Sequence, residues 1–341
     1  METEKNRIRI VFIGGGLIGK ERVKAVKQLI ANGENIEIAG IYDPYINKKD
    51  FKDEFKISFF DKLDEVFKAK PTWAFIAAPH DINVELTKKF LEKGMNVLVE
   101  KPLGRNIKES YELVNSAKRE NQLWVGFNYR FFEGISKALQ DIHEKKFGKL
   151  ISLNMTLGHG CHPEIKNSWK LDPIRAGGGC LIDPGVHLID LCRIISNGKI
   201  KVKAGWKWDG FWSTGVEEEV HLLLKANGFL INLQISIVRW RSTFRMEING
   251  EEGYGIVSGR NRSYGNQTYI RGKRWAWRSG ISQKDAEELV VETDGNDSFI
   301  KEIGGLLFPD KKSFIRPCTG KEALENMNIL EECRKIIKNK N

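Results

Sequence analysis

A chain of 341 residues exceeds what one hydrophobic core usually organises, so two domains are expected. With 41% hydrophobic and 29% charged residues it has the profile of a globular protein in water, and no apolar run reaches membrane-spanning length. The formal charge of +10 is compatible with an acidic small substrate, but the basic residues are spread widely and alternate with aromatics where they cluster, as strand faces do, which argues against a nucleic-acid surface.

The N-terminus METEKNRIRIVFIGGG has no basic leader followed by an apolar core and runs directly into a buried-type strand, so a cytoplasmic location is expected. Five cysteines, Cys161, Cys180, Cys192, Cys318 and Cys333, contain no CxxC pair. They read as reduced, packed thiols and not as a disulfide framework or a zinc ribbon.

In chain order, RIRIVFIG is a short run rich in β-branched residues that ends at Gly14 and is followed by GGLIG and the helical stretch KERVKAVKQLI. Further apolar runs IEIAGIYD, TWAFIAA, MNVLVE and QLWVGF behave as strands. Between the last three lie helical patterns, Ile82, Leu86 and Phe90, then Ile107, Tyr111 and Val114. Strands alternating with helices imply a parallel sheet covered on both faces.

Against that background GGGLIG at 14–19 is more than a loose glycine match, because it sits between a strand and a helix and Asp43 ends the next strand. Gly14 permits the tight turn, Gly16 lets the backbone approach a pyrophosphate, and Gly19 lets helix and strand pack closely. Together with Leu17 and Ile18 they open a helix whose free N–H groups face the phosphates. Asp43 can accept from both ribose hydroxyls and repels a 2′-phosphate. With Pro44 following it, NAD is expected in preference to NADP.

VLVEKPLG at 97–104 delivers Glu100 and Lys101 at a strand's C-terminal end, the side where open α/β sheets bind ligands. Two readings stand on position alone: a solvated charge pair before a turn, or a lysine that holds a reacting oxygen. Farther on, GGGCLIDPGVHLID at 177–190 places Asp183 and His187 four residues apart. Pro184 fits as the first helical residue with Asp183 as N-cap, and Leu188, Leu191, Cys192 and Ile195 form the stripe that buries the helix.

The remainder reads as an antiparallel sheet, with strand character at 148–158, 200–208, 216–225, 228–238, 242–250 and 252–258. The loop LGHGCHPEIKNSWKLDPIRAGGG supplies His159, His162, Trp169 and Arg175 as substrate-contact candidates. His159, Cys161 and His162 resemble a metal cluster, but without a fourth ligand at structural spacing no metal is expected. Nine tryptophans include WKWDGFW at 206–212 and RWAWR at 274–278, aromatic faces suited either to sugar rings or to a partner subunit. The last stretch is an amphipathic helix with Leu324, Met327 and Leu330 on one side.

GGGLIG, the strand-end Asp43, EKP at 100–102 and GGGCLIDPGVHLID occur in an order and spacing that resemble the Gfo/Idh/MocA oxidoreductase family, the glucose–fructose oxidoreductase and inositol dehydrogenase group. The resemblance implies an α/β Rossmann domain for NAD, placed at 1–127, then an α+β domain with a large open, mainly antiparallel sheet at 128–341 that serves substrate binding and homodimer or homotetramer contacts. It assigns Lys101, Asp183 and His187 to the site facing the nicotinamide. AAPHDIN is similar to a family turn that contacts the cofactor through its backbone, at Ala78 and Pro79, although the family's usual histidine is here Asn83. GFNYRF is similar to the segment that leads into the second domain, which puts Asn128 and Arg130 near nicotinamide or substrate.

The expected chemistry is oxidation of a secondary alcohol of a sugar, sugar derivative or polyol, or its reverse, with His187 accepting the hydroxyl proton, Lys101 holding the oxygen and Asp183 orienting the histidine. The proton could pass through Lys101 instead, as both assignments fit the residues. The positive charge favours an anionic substrate such as a nucleotide sugar or sugar acid. Two other classes use the same residues: a redox-neutral NAD-dependent glycosidase of the same fold, and a non-catalytic ligand-sensing module.

Overall fold

The computed structural model describes residues 7–273, 287–291 and 297–338, so the aromatic stretch at 274–278 lies outside the described residues. The described residues form two compact units. The first holds the chain up to Asn128 together with Phe299–Lys311 and Pro317–Leu324, and the second holds the described parts of the rest. A single cut after residue 127 therefore does not divide this chain. Two C-terminal stretches return to the first unit, one because Phe299, Ile303 and Leu306 belong to its apolar core and the other because Cys318 and Thr319 pair with Val125 and Trp124.

The first unit is a seven-stranded sheet in the order β15-β6-β5-β4-β1-β2-β3. Its strands are β1 (Ile8–Ile13), β2 (Ile36–Tyr42), β3 (Phe59–Phe60), β4 (Trp73–Ile76), β5 (Asn96–Glu100), β6 (Leu123–Gly126) and β15 (Cys318–Thr319). All neighbours pair in parallel except β15 with β6. Residues Ile10 to Ile13 are fully buried, as an apolar run covered on both faces requires. Connecting helices are α1 (Leu17–Ala31), α2 (Lys48–Phe55), α3 (Leu63–Lys68), α4 (His80–Glu92) and α5 (Ile107–Ser116), and α9 (Asp297–Leu307) joins them.

Two helical faces differ from expectation. On α4 the buried positions are His80, Asn83, Val84, Thr87, Phe90 and Leu91, so Phe90 turns inward as expected while Ile82 and Leu86 are only partly covered. On α5 Tyr111 is 49% exposed while Ser110 and Leu113 turn inward. The short elements α2, β3 and α3 have no counterpart in the sequence reading. KKDFKDEF hides its two buried rings, Phe51 and Phe55, among charges.

The second unit is an eight-stranded sheet in the order β14-β13-β12-β11-β7-β10-β9-β8. Its strands are β7 (Leu150–Gly158), β8 (Ile200–Trp208), β9 (Glu219–Ala226), β10 (Phe229–Ser236), β11 (Thr243–Gly250), β12 (Gly253–Ser258), β13 (Gln267–Lys273) and β14 (Glu287–Val291). Only β7 with β10 pairs in parallel, so the sheet is mainly antiparallel and its ends do not close. Alternate residues such as Leu153, Met155, Leu157, Ile231, Leu233 and Ile235 are buried, the period-two pattern of a sheet with one covered face. Helix α6 (Glu133–His143) lies against β12 and β13, and α8 (Val186–Ser196) against α6 and β8.

The short α7 (Pro173–Ala176) precedes α8, and α10 (Gly320–Lys338) ends the described chain. On α10 Met327 and Leu330 are buried as expected, with Ala323 taking the inward place given to Leu324. Trp206 and Trp208 stand 55% and 52% exposed on β8, whereas Trp212 is buried and donates its indole N–H to the Ile237 carbonyl. Among the described residues no helix is long and apolar enough to cross a membrane.

Candidate active site

In the first unit β1 ends in the glycine turn, and the three glycines do different work. Gly14 has φ +95°, and a Cβ there would stand 2.3 Å from the Ala77 carbonyl oxygen. A Cβ on Gly19 would stand 2.1 Å from the Gly14 oxygen, so helix and strand meet only because it is absent. At Gly16 a Cβ would meet nothing within 4 Å. Gly16 is also the N-cap of α1 and offers no side chain to the first turn, which leaves the helix N–H groups to an incoming anion. Leu17, first in α1, is exposed, and Ile18 packs on the core. These residues fit a dinucleotide.

Asp43 is almost buried and accepts from Gly15 N–H through Oδ2 at 2.7 Å and from Tyr45 N–H through Oδ1 at 2.8 Å. The carboxylate assigned to a ribose therefore also ties the glycine turn to the loop after β2. Ala78 donates its N–H to Asn83 Oδ1 at 3.0 Å, and Pro79 is the N-cap of α4. Asn83, which replaces a histidine of the family pattern, thus closes the turn.

Glu100, expected at the cofactor, has a structural partner. The Arg22 guanidinium of α1 reaches Glu100 Oε1 at 2.7 Å and also pairs with Glu302 of α9. Burial alone lowers the pKa of a guanidinium, but the two carboxylates outweigh it and hold Arg22 above its ordinary value. Gly126 makes room, since a Cβ there would stand 2.4 Å from Arg22. Lys101, next to this clamp, is partly exposed at the end of β5.

In the second unit the Asp183–Pro184 peptide is cis, and α8 begins at Val186 with Gly185 as N-cap. The expectation that Asp183 caps a helix starting at Pro184 is therefore corrected. Asp183 Oδ2 instead accepts from Lys170 Nζ at 3.2 Å. That charge is the main cause that raises the Lys170 pKa. Helix α8 is buried nearly all round and not along one stripe, with Ile195 only partly covered.

His187, in the first turn of α8, is 4% exposed and stacks on Tyr129 with ring centroids 3.8 Å apart. Burial pushes the Tyr129 phenol well above its ordinary value. The guanidinium of Arg260 lies 4.7 Å from the same ring and 4.1 Å from Tyr264.

Arg130 has a structural partner as well. Its buried guanidinium grips Asp190 at 2.7 and 2.6 Å and donates to the Arg316 carbonyl. Asn128 is buried in the 3₁₀ turn Asn128–Phe131.

His159 Nδ1 lies 3.3 Å from Cys161 Sγ, and burial raises that thiol to about 11. The His162 side chain is 76% exposed beside Glu164. Trp169 is partly buried near Lys170, and Arg175 lies on α7. Among the described residues no group of three or more acidic, histidine or cysteine side chains could hold a metal.

The second unit thus gathers Asp183 and His187 with Lys170, Tyr129, Arg260 and Tyr264, four residues that sequence reasoning missed. Two of them left a signal: Lys170, beside a tryptophan in a loop already singled out, and Tyr129, inside GFNYRF.

Two family models match the chain: the Gfo/Idh/MocA model described as an oxidoreductase family with an NAD-binding Rossmann fold, over residues 8–127, and the GFO/IDH/MocA C-terminal domain over 135–255. A curated relative, levoglucosan dehydrogenase of Pseudarthrobacter phenanthrenivorans, is 31% identical over 35% of this chain and 32% of its own length. The chain spans 32%, 56% and 54% of the length of the first three curated relatives that it matches. Among solved structures, levoglucosan dehydrogenase in complex with NADH and levoglucosan superimposes with a TM-score of 0.83 at 17% identity, covering 98% of both chains. A putative NADPH-dependent oxidoreductase from Desulfitobacterium hafniense gives 0.82 at 16% identity, covering 98% of this chain and 97% of that one. At these identities the structural likeness shows the fold.

Proposed function

This chain belongs to the Gfo/Idh/MocA oxidoreductase family, and we propose that it is an NAD-dependent dehydrogenase acting on a secondary alcohol of a sugar, sugar derivative or polyol. The observation that carries the reading is His187, whose imidazole is held flat against Tyr129 in a unit that also fixes the Asp183–Lys170 pair. An imidazole titrates near neutrality, so in one fixed orientation it suits general base work on a hydroxyl.

Bound nicotinamide supplies the acceptor for the hydride from the carbinol carbon. His187 takes the hydroxyl proton, and Lys101 supplies positive charge as the oxygen becomes anionic. Asp183 and Lys170 keep a fixed pair of charges beside the stack. Asp43 supports NAD over NADP, because its carboxylate at the end of β2 repels a 2′-phosphate. Exposed Trp206 and Trp208 support self-association through the open sheet, checked by sedimentation of the full chain.

The deciding experiment is absorbance at about 340 nm, where reduced nicotinamide absorbs. NAD is supplied with a panel of free sugars, polyols, sugar acids and nucleotide sugars, after testing the purified protein for bound nucleotide. A rise with one substrate class is expected, with Lys101→Ala and His187→Ala inactive yet within a few-fold in NAD affinity. Near-normal rates in both variants sink the mechanism. A flat trace with a glycoside cleaved assigns the redox-neutral chemistry instead.

A further inference from the structure

We propose that Arg260 determines substrate specificity by binding a carboxylate or phosphate substituent of the sugar. The inference rests on the reading of His187 as the reacting end. It begins with sheet topology in the second unit. Gly158 pairs with Ser236 and Thr243, and Ser258 pairs with Arg245 and Thr268, so the loops 159–172 and 259–266 leave the sheet at the same end. The first loop carries Lys170, which pairs with Asp183. The second carries Arg260 and Tyr264.

Arg260 is held by rings. Its guanidinium carbon lies 4.7 Å from the Tyr129 centroid, 5.5 Å from Phe132 and 4.1 Å from Tyr264. Aromatic faces orient a guanidinium and attract it weakly, but they do not neutralise its charge or accept its in-plane N–H bonds. Among the described residues no carboxylate lies within ion-pair distance of Arg260, and its Nε is buried with no hydrogen-bond partner.

Three other arginines of this unit have carboxylate partners: Arg130 pairs with Asp190, Arg193 with Glu325 and Arg271 with Asp141. A buried donor left without an acceptor is costly unless a ligand supplies one. A planar fork of N–H groups matches a carboxylate or a phosphate.

The place of the cation gives the acceptor its identity. Tyr129 carries both the His187 stack and the Arg260 contact, so the imidazole and the guanidinium lie against the same phenol ring. With His187 at the reacting carbinol, the group bound at Arg260 is a substituent elsewhere on the sugar.

The test is calorimetric titration of the full chain with D-glucuronate, D-glucose 6-phosphate and neutral D-glucose. This readout does not depend on turnover. In the wild type one anionic sugar is expected to bind at least about tenfold more tightly than glucose, the scale of a charge-assisted bidentate contact, and which one names the group. Arg260→Gln is expected to abolish that preference while glucose affinity stays within about threefold. If that variant does not fold, Arg260→Lys keeps the charge and loses the fork, and is expected to weaken the anionic sugar selectively.

A wild type without anion preference, a preference that survives Arg260→Gln, or equal weakening of charged and neutral sugars overturns the inference. NAD reduction is scored separately. Loss of the dehydrogenase reading would leave the binding preference in place, and loss of this inference would leave NAD reduction in place.

Discussion

The imidazole of His187 lies flat on the phenol ring of Tyr129, with centroids 3.8 Å apart and planes inclined by 10°. The stack joins the first turn of α8 to the 3₁₀ turn Asn128–Phe131 and leaves the imidazole little freedom to rotate.

Tyr129→Phe keeps the ring and is expected to hold kcat within a few-fold. Tyr129→Leu removes it, and should cost roughly 2–4 kcal/mol in urea denaturation, the scale of a truncated core ring, with kcat down by more than tenfold. Burial raises the Tyr129 phenol, so the folded state favours its protonated form. That stability is present below the ordinary phenol value of about 10 and is lost as pH rises past it, because the unfolded chain ionises first. Tyr129→Phe should flatten this alkaline loss.

The glycine turn separates folding from binding. Gly19→Ala places a Cβ against the Gly14 carbonyl and is expected to lower Tm and NADH affinity together. Gly16→Ala meets no protein atom, so Tm should stay nearly unchanged while NADH affinity, read by fluorescence, falls at least tenfold. An unchanged affinity would mean that the nucleotide does not press against residue 16.

Arg22 is buried between Glu100 and Glu302. Arg22→Met strands two carboxylates and should destabilise the chain by about 3–5 kcal/mol, the scale for breaking a buried ion pair. Adding Glu302→Gln should recover part of that loss, as a double-mutant cycle in guanidinium chloride would show.

Lys170 is expected to remain charged through neutral pH. Its pKa is raised, chiefly by Asp183, so the pair's stabilisation is complete below the ordinary lysine value of about 10.4 and disappears only as pH climbs through the raised one. The alkaline limb of a kcat/KM profile below about pH 10 should therefore belong to another group, and Lys170→Met should lower the plateau without moving that limb.

Thiol chemistry offers an independent check. Cys161 is partly exposed, the other four cysteines are buried, and burial lifts the Cys161 thiol to about 11. Iodoacetamide at neutral pH should label the native chain slowly, and Cys161 should react first as the pH is raised.

Much of this molecule is written locally. Strand periodicity, the GGGLIG turn and the alternation of β7, β9 and β10 depend on neighbours a few residues away, and they can be read without a structure. Asp183 as a cap was misread because a local rule was applied to a residue whose partner, Lys170, lies across a loop. Nothing near Arg130 in the chain reveals its ion-pair partner Asp190, which stands 60 positions away.

The sequence by itself determined the Rossmann architecture, the open antiparallel sheet, and the residue types at Gly14, Gly16, Gly19, Asp43, Lys101, Asp183 and His187. Only the tertiary structure decided which charges are spent inside the protein and which are left for a ligand. Arg22 finds Glu302 across 280 positions, while Arg260 finds rings and no carboxylate. Charge pairing depends on distance in space, and period and propensity carry no record of it.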